Sequence, residues 1–139
     1  MSVMEPDTNP TNSRMGRRRK VVIAALVLLV VFPFVLNPLR LPSSVIEWYL
    51  IQGAPLGSDI GEVRQYVAQH GWHVAYDSEE RGFLDQRSKP NRVVGSMSIR
   101  AELGQYQGLP FVGHITAFWG FDERGRLIDV WVWRTRDAL

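Results

Sequence analysis

The stretch ITAFWGFDERGRLIDVWVWR, residues 115–134, limits the possible folds more than any other part of the chain. β-Branched and aromatic residues flank a polar Asp122-Glu123-Arg124-Gly125 tip. That is the pattern of two strands joined by a tight turn, with glycine supplying a left-handed position. Alternate side chains of a strand point to opposite faces, yet here large rings occupy positions of both parities. Pairing Phe121 with Arg126 sets Ile115, Ala117, Trp119 and Phe121 beside Ile128, Val130 and Val132 on one face. The other face then collects His114, Thr116, Phe118, Asp129, Trp131 and Trp133. The first set is a core, and the second is a polar surface with three rings in it. A one-residue slip would mix the two sets, so burial favours this parity.

The segments ahead of the hairpin extend the same sheet. In VVGSMSIRAELGQY, Met97, Ile99, Ala101 and Leu103 alternate with Ser96, Ser98, Arg100 and Glu102, matching the apolar and polar faces in turn. WHVAY gives a first strand with Trp72, Val74 and Tyr76 on one side. Residues 77–92 are polar and turn-rich, a long loop with a short strand at Gly82–Leu84, and Gly108-Leu109-Pro110 turns the chain. PLGSDIGEVRQYVAQHG predicts a helix over 60–70: Ser58 or Asp59 caps it, Glu62 follows three after Asp59, and Gly71 ends it. Its Ile60, Val63 and Val67 form one apolar stripe. PSSVIEWYLIQG predicts a shorter helix over 45–52, with Ser44 and Glu47 as a capping box. That helix is apolar almost all round, and two burial sites compete for it, a membrane interface and the folded domain. The fold class is α+β, with one or two helices packed on one face of an antiparallel three- to four-stranded sheet.

Before this domain, VVIAALVLLVVFPFVLNPL runs without charge from Val21 to Leu39 between Lys20 and Arg40. At about 1.5 Å per residue a helix of that length approaches the roughly 30 Å hydrocarbon core of a bilayer. The run is longer than the apolar region of a cleaved secretory signal and NPLRLPSS offers no small-residue cleavage site. An N-terminal transmembrane helix acting as an uncleaved signal anchor is therefore expected. Arg17, Arg18, Arg19 and Lys20 precede it and only Arg40 follows closely, so the N-terminus is expected in the cytoplasm of a bacterium and the C-terminal domain beyond its inner membrane. The organisation read from these features is a disordered tail over 1–20, the anchor over 21–39, a juxtamembrane helix and linker over 40–56, and the α+β domain over 57–139.

The net charge of +2 sits in the tail: residues 1–20 carry +3 and residues 40–139 carry −1. No basic footprint for nucleic acid lies in the domain. Cysteine is absent, which excludes disulfides, thiolate nucleophiles and zinc–thiolate sites. The fold must rest on its apolar core, for which five Trp, six Phe and four Tyr supply area.

Candidate chemistry is sparse. His70 and His73 have His-x-x-His spacing but straddle a helix end without a third ligand, so no metal or other cofactor is assigned. His114 and Asp129 share a face, and a base–carboxylate pair there is the basis of an enzymatic alternative. No serine sits in a nucleophile-elbow context and no glycine-rich phosphate loop occurs. Phe118, Trp131 and Trp133 have two readings: cross-strand pairs covered by helix 45–52 or loop 77–92, or anchors of a recognition surface.

The order of two helices and antiparallel strands resembles the small envelope domains of the SmpA/OmlA (BamE) lipoprotein family. It is similar in layout to the β-lactamase inhibitor protein repeat as well. The likeness covers residues 55–135 and is carried by PLGSDIGEVRQYVAQHGW and by the Phe121–Leu127 pattern Phe-Asp-x-x-Gly-x-Leu. That family carries a lipidated cysteine, absent here, and the resemblance implies a binding or scaffold role without assigning site residues. The expected function is a membrane-anchored, non-enzymatic module binding an envelope protein through Phe118, Trp131 and Trp133 with Arg100, Glu102, His114 and Asp129. On that expectation Trp131→Ala and Trp133→Ala leave the domain folded and weaken partner recovery. A periplasmic enzyme using His114 and Asp129, or a structural subunit joined through helix 45–52, are the alternatives.

Overall fold

The computed structural model describes residues 2–3, 11–108 and 111–138, with the side chains of 11–15, 33–36, 108, 111 and 136–138 outside that description. The chain divides into two units, Met1–Leu36 and Asn37–Leu139.

The first unit contains helix α1, Thr11–Leu36. Among the described residues no helix is long and apolar enough to cross a membrane, which overturns the transmembrane helix expected over 21–39. Two features account for the difference. The uncharged run is not one continuous helix: α1 stops at Leu36, and Asn37 then caps a separate 3-10 turn, Pro38–Arg40, its side chain accepting from Leu39 N at 3.1 Å. Within α1 the uncharged stretch is Val21–Leu36, directly preceded by Arg17–Lys20. Such a stretch reaches roughly 24 Å, short of the roughly 30 Å a span requires. The cationic block Arg17–Lys20 lies within α1, while residues 1 and 4–10 lie outside the described residues.

The second unit is α+β. Helices α2 (Ser43–Gly53) and α3 (Ile60–Gln69) precede β1 (His73–Ser78), β2 (Phe83–Asp85), β3 (Arg92–Val94), β4 (Met97–Gly108), β5 (Phe111–Phe121) and β6 (Leu127–Ala138). Strands β1, β4, β5 and β6 form an antiparallel sheet in the order β1-β4-β5-β6, and β2 pairs with β3 as a separate ribbon. The predicted turn at 109–110 lies outside the described residues.

Helix α3 forms as its sequence dictates. Asp59 accepts from Gly61 N at 2.9 Å, Glu62 accepts from Asp59 N at 3.0 Å, and Val63 and Val67 are buried. Arg64 on its outer side ion-pairs with Asp77 and Glu79, tying the helix to β1, and these contacts raise the pKa of the guanidinium. Helix α2 differs at its start. Pro42 is its N-cap and supplies no side-chain bond, so the Ser44–Glu47 capping box is not formed. Glu47 instead accepts from Val132 N at 2.9 Å on the outer edge of β6. Ile46 and Leu50 enter the core, so α2 packs on the domain.

The core lies on one sheet face, where Ile46, Leu50, Val63 and Val67 meet Ile99, Ala101, Ile115, Ala117, Trp119, Phe121, Leu127, Val130 and Val132. The hairpin register differs from expectation by two positions over most of its length: Trp119 pairs with Val130 rather than Ile128. A two-residue shift preserves which face each side chain takes, so the core set survives it. The exception is the tip. Phe121 pairs with Leu127 and Gly120 with Asp129, leaving Ile128 as the extra residue of a bulge. Leu127 is therefore buried and Ile128 exposed, the reverse of the simple alternation. A second bulge between Val74 and Tyr76 divides the expected β1 face: Val74 sits opposite Ala101, and Tyr76 opposite Arg100.

Candidate functional site

The face opposite the helices is built from rows of paired residues. Ser98, Gly120 and Asp129 form one row; Arg100, Phe118 and Trp131 the next; then Glu102, Thr116 and Trp133; then Gln105, His114 and Thr135. The β2–β3 ribbon covers the first two rows and leaves the others open, so the surface read as a single patch has two parts.

In the covered part, Phe83 and Val94 descend from the ribbon onto Trp131, with Phe118 beside them, as a second small core. Ring centroids of Phe118 and Trp131 lie 5.0 Å apart, and Phe83 is 6.1 Å from Trp131. Gly120 belongs beneath this cluster because a Cβ there would sit 2.8 Å from the Phe83 ring. Trp131 is only 7% exposed, which corrects its reading as an exposed anchor; ribbon residues 83–94 cover it. Phe118 is half-buried, with the Arg100 guanidinium 5.5 Å from its ring centre.

An ionic bridge closes the rim of this cluster. Arg87 bonds Asp85 on the ribbon at 2.9 Å and Asp129 on the sheet at 2.6 Å, and its guanidinium lies 5.8 Å from the Trp131 ring centre. Asp85 is 2% exposed, an uncommon position for a carboxylate without a partner. The hydrogen bonds from Arg87 hold its carboxyl below the ordinary range, against the opposing effect of burial. For Arg87 burial acts downward, and the bonds to Asp85 and Asp129 outweigh it and raise the pKa.

A pH dependence follows from the Asp85 shift. A depressed native pKa adds stability that is complete above the unfolded value of about 3.9 and is lost as pH falls through the native one. Asp85→Asn should therefore destabilise the domain at neutral pH and show a smaller deficit in acid. Urea midpoints of the two proteins at about pH 7 and about pH 3 check this, and a deficit that does not shrink across that window refutes it.

The other part holds Trp133, Glu102 and His114, with Thr116 buried between Glu102 and Trp133. Trp133 is 37% exposed and stacks against the buried Trp131 at 6.3 Å. Glu102 lies opposite His73 and is exposed, and His114 is half-buried opposite Gln105. Beside them, where β1 begins and β4 bulges, Trp72, His73, Glu102, Gln105 and His114 line an open cleft of about 290 Å³.

The sequence-derived residues thus separate. Phe118, Trp131, Arg100 and Asp129 gather at the ribbon, while Trp133, Glu102 and His114 belong to the open half. His114 and Asp129 do not form a catalytic pair. His114 is six positions along β5 from Gly120, the partner of Asp129, a separation of roughly 20 Å at strand spacing. Asp129 is engaged by Arg87 instead. His70 Nδ1 donates to Tyr66 O at 2.9 Å and its ring stacks on Trp72, and no group of three metal-ligating side chains occurs among the described residues.

Phe83, Asp85, Arg87 and Val94 escaped the sequence reading. The available signal was the pair of short apolar segments Phe83-Leu84 and Val93-Val94 around a turn-rich centre, the pattern of a small hairpin. No protein-family model, curated protein or solved structure matches the chain.

Proposed function

We propose that this chain is a non-enzymatic protein-binding module of the bacterial cell envelope, with the open half of the sheet face as its contact surface. The observation that carries the reading is Trp133: a large, partly exposed ring held in position by stacking on the buried Trp131. An aromatic anchor that is already rigid loses little entropy on binding, and such residues dominate interface energetics. Glu102 and His114 lie on the same half of the face and supply polar groups, the usual anatomy of an interface rim. The resemblance of residues 55–135 to the SmpA/OmlA (BamE) domains is the ground for placing it in the envelope.

A second surface supports the alternative of a subunit joined through α2. Trp48 is 62% exposed, and Val45 and Tyr49 lie beside it on the outer side of the helix. A photo-crosslinking residue placed at 133 or at 48 in the full chain separates the two. The open sheet face predicts a discrete protein adduct from 133. Trp133→Ala should abolish recovery of that partner while costing about 1 kcal/mol of stability, as ordinary substitutions do. An adduct from 48 alone transfers the interface to α2, and no adduct from either position refutes the binding role.

A further inference from the structure

We infer that the β2–β3 ribbon is a displaceable strap, and that the Arg87 bridge is its latch. The inference rests on the proposed binding role, since its consequence is a larger contact face when the strap lifts. Each ribbon strand is three residues long, and neither pairs with the main sheet. Phe83 and Val94 are the apolar side chains that hold it down, and an isolated two-stranded hairpin is marginal without such support. Its outer side is no more polar than its inner one, since the cross-strand pair Leu84 and Val93 is exposed.

Glycines flank the ribbon at both ends. Gly95 has φ +76°, a conformation other residues adopt only with strain, and it sits directly against the Phe121 backbone. Ser96 N bonds Phe121 O at 2.8 Å and Ser98 Oγ bonds Arg81 O at 2.8 Å, so the strap's two roots are fixed to the sheet. Between those roots, Arg87 is the charged group joining the ribbon to the sheet, through Asp129 at 2.6 Å. Both members of that ion pair are about one-third exposed, so water can replace each partner at modest cost. Segments with few buried apolar contacts open locally at lower free energy than the whole domain. Lifting the strap would uncover Phe118 and Trp131 and join them to Trp133 in one aromatic surface.

The absence of cysteine makes this directly measurable. Val94→Cys places a single thiol on the inner side of the strap, and Val130→Cys places one in the main core. Both are near-conservative in volume. Under native conditions a soluble thiol reagent should label residue 94 at least about tenfold faster than residue 130. Adding Arg87→Gln should accelerate labelling at 94 by several-fold and leave 130 unchanged. Equal labelling rates at the two positions overturn the strap. A fast residue 94 that ignores Arg87→Gln overturns the latch. Because labelling needs no partner, its result is independent of the crosslinking that tests the binding role.

Discussion

Trp119→Ala is expected to cost about 3–5 kcal/mol, the range for truncating a fully buried large aromatic. The indole has no exposed surface and stacks on Trp72 at 6.3 Å; it sits between Ile99 and Val130 at the centre of the sheet. Its neighbours come from different elements, so no single one can shift to fill the hole. For a domain of this size each kcal/mol lowers Tm by about 4–8 °C, so thermal melts should show a large drop. Trp119→Phe sharpens the test. The Nε1 hydrogen is buried without a partner, and leaving such a donor unsatisfied is costly. Phenylalanine keeps much of the ring contact and removes that donor, so its cost should be well below that of alanine. Trp119→Ala at under about 1 kcal/mol, the scale of surface changes, would show that the helices do not cover this face.

What could be read from the residues divides by the range of the interactions involved. The capping box of α3 is local, with Asp59 and Glu62 three positions apart, and it forms as expected. The parity of Trp119 against Phe118 is equally local, since it follows from the strand repeat whatever the register. Long-range competition decides the rest. Glu47 has the spacing for a cap with Ser44, but the unpaired N–H of Val132 captures it, because that edge donor has no strand beyond it. Ile128 alternates correctly for a core position, yet the bulge turns it outward and brings Leu127 in. Bulges alter alternation without leaving a compositional mark. The apolar run after Lys20 is uncharged as far as Leu39, and its division is local too: α1 stops at Leu36, where Asn37-Pro38 opens a separate turn. The sequence offers a short strand at Gly82–Leu84 and loop 77–92 as a cover for the rings, but not the pairing of that strand with Arg92–Val94. That pairing is too short for periodicity to register, and it decides which rings of the candidate face are open.

Trp131→Ala is the second large expected effect, and it separates the two readings of that face. A surface anchor would leave folding intact and remove only binding. A ring 7% exposed, with Phe83, Phe118 and Trp133 around it and Arg87 over it, belongs to a core instead. Its loss should cost about 3 kcal/mol, the lower end of the aromatic range, because the ribbon can partly collapse into the space. The damage should also be localised. Amide exchange in β2 and β3 should rise far more than exchange in the centre of β5, since Phe83 and Val94 lose their main contact while the α2–α3 side of the sheet keeps its own. Phe118→Ala should produce the same pattern more weakly, because that ring is already half-exposed and Arg100 can follow it. Trp131→Ala that unfolds at the parent's midpoint, with ribbon exchange unchanged, would return this ring to the open surface and leave the ribbon without a role in covering it.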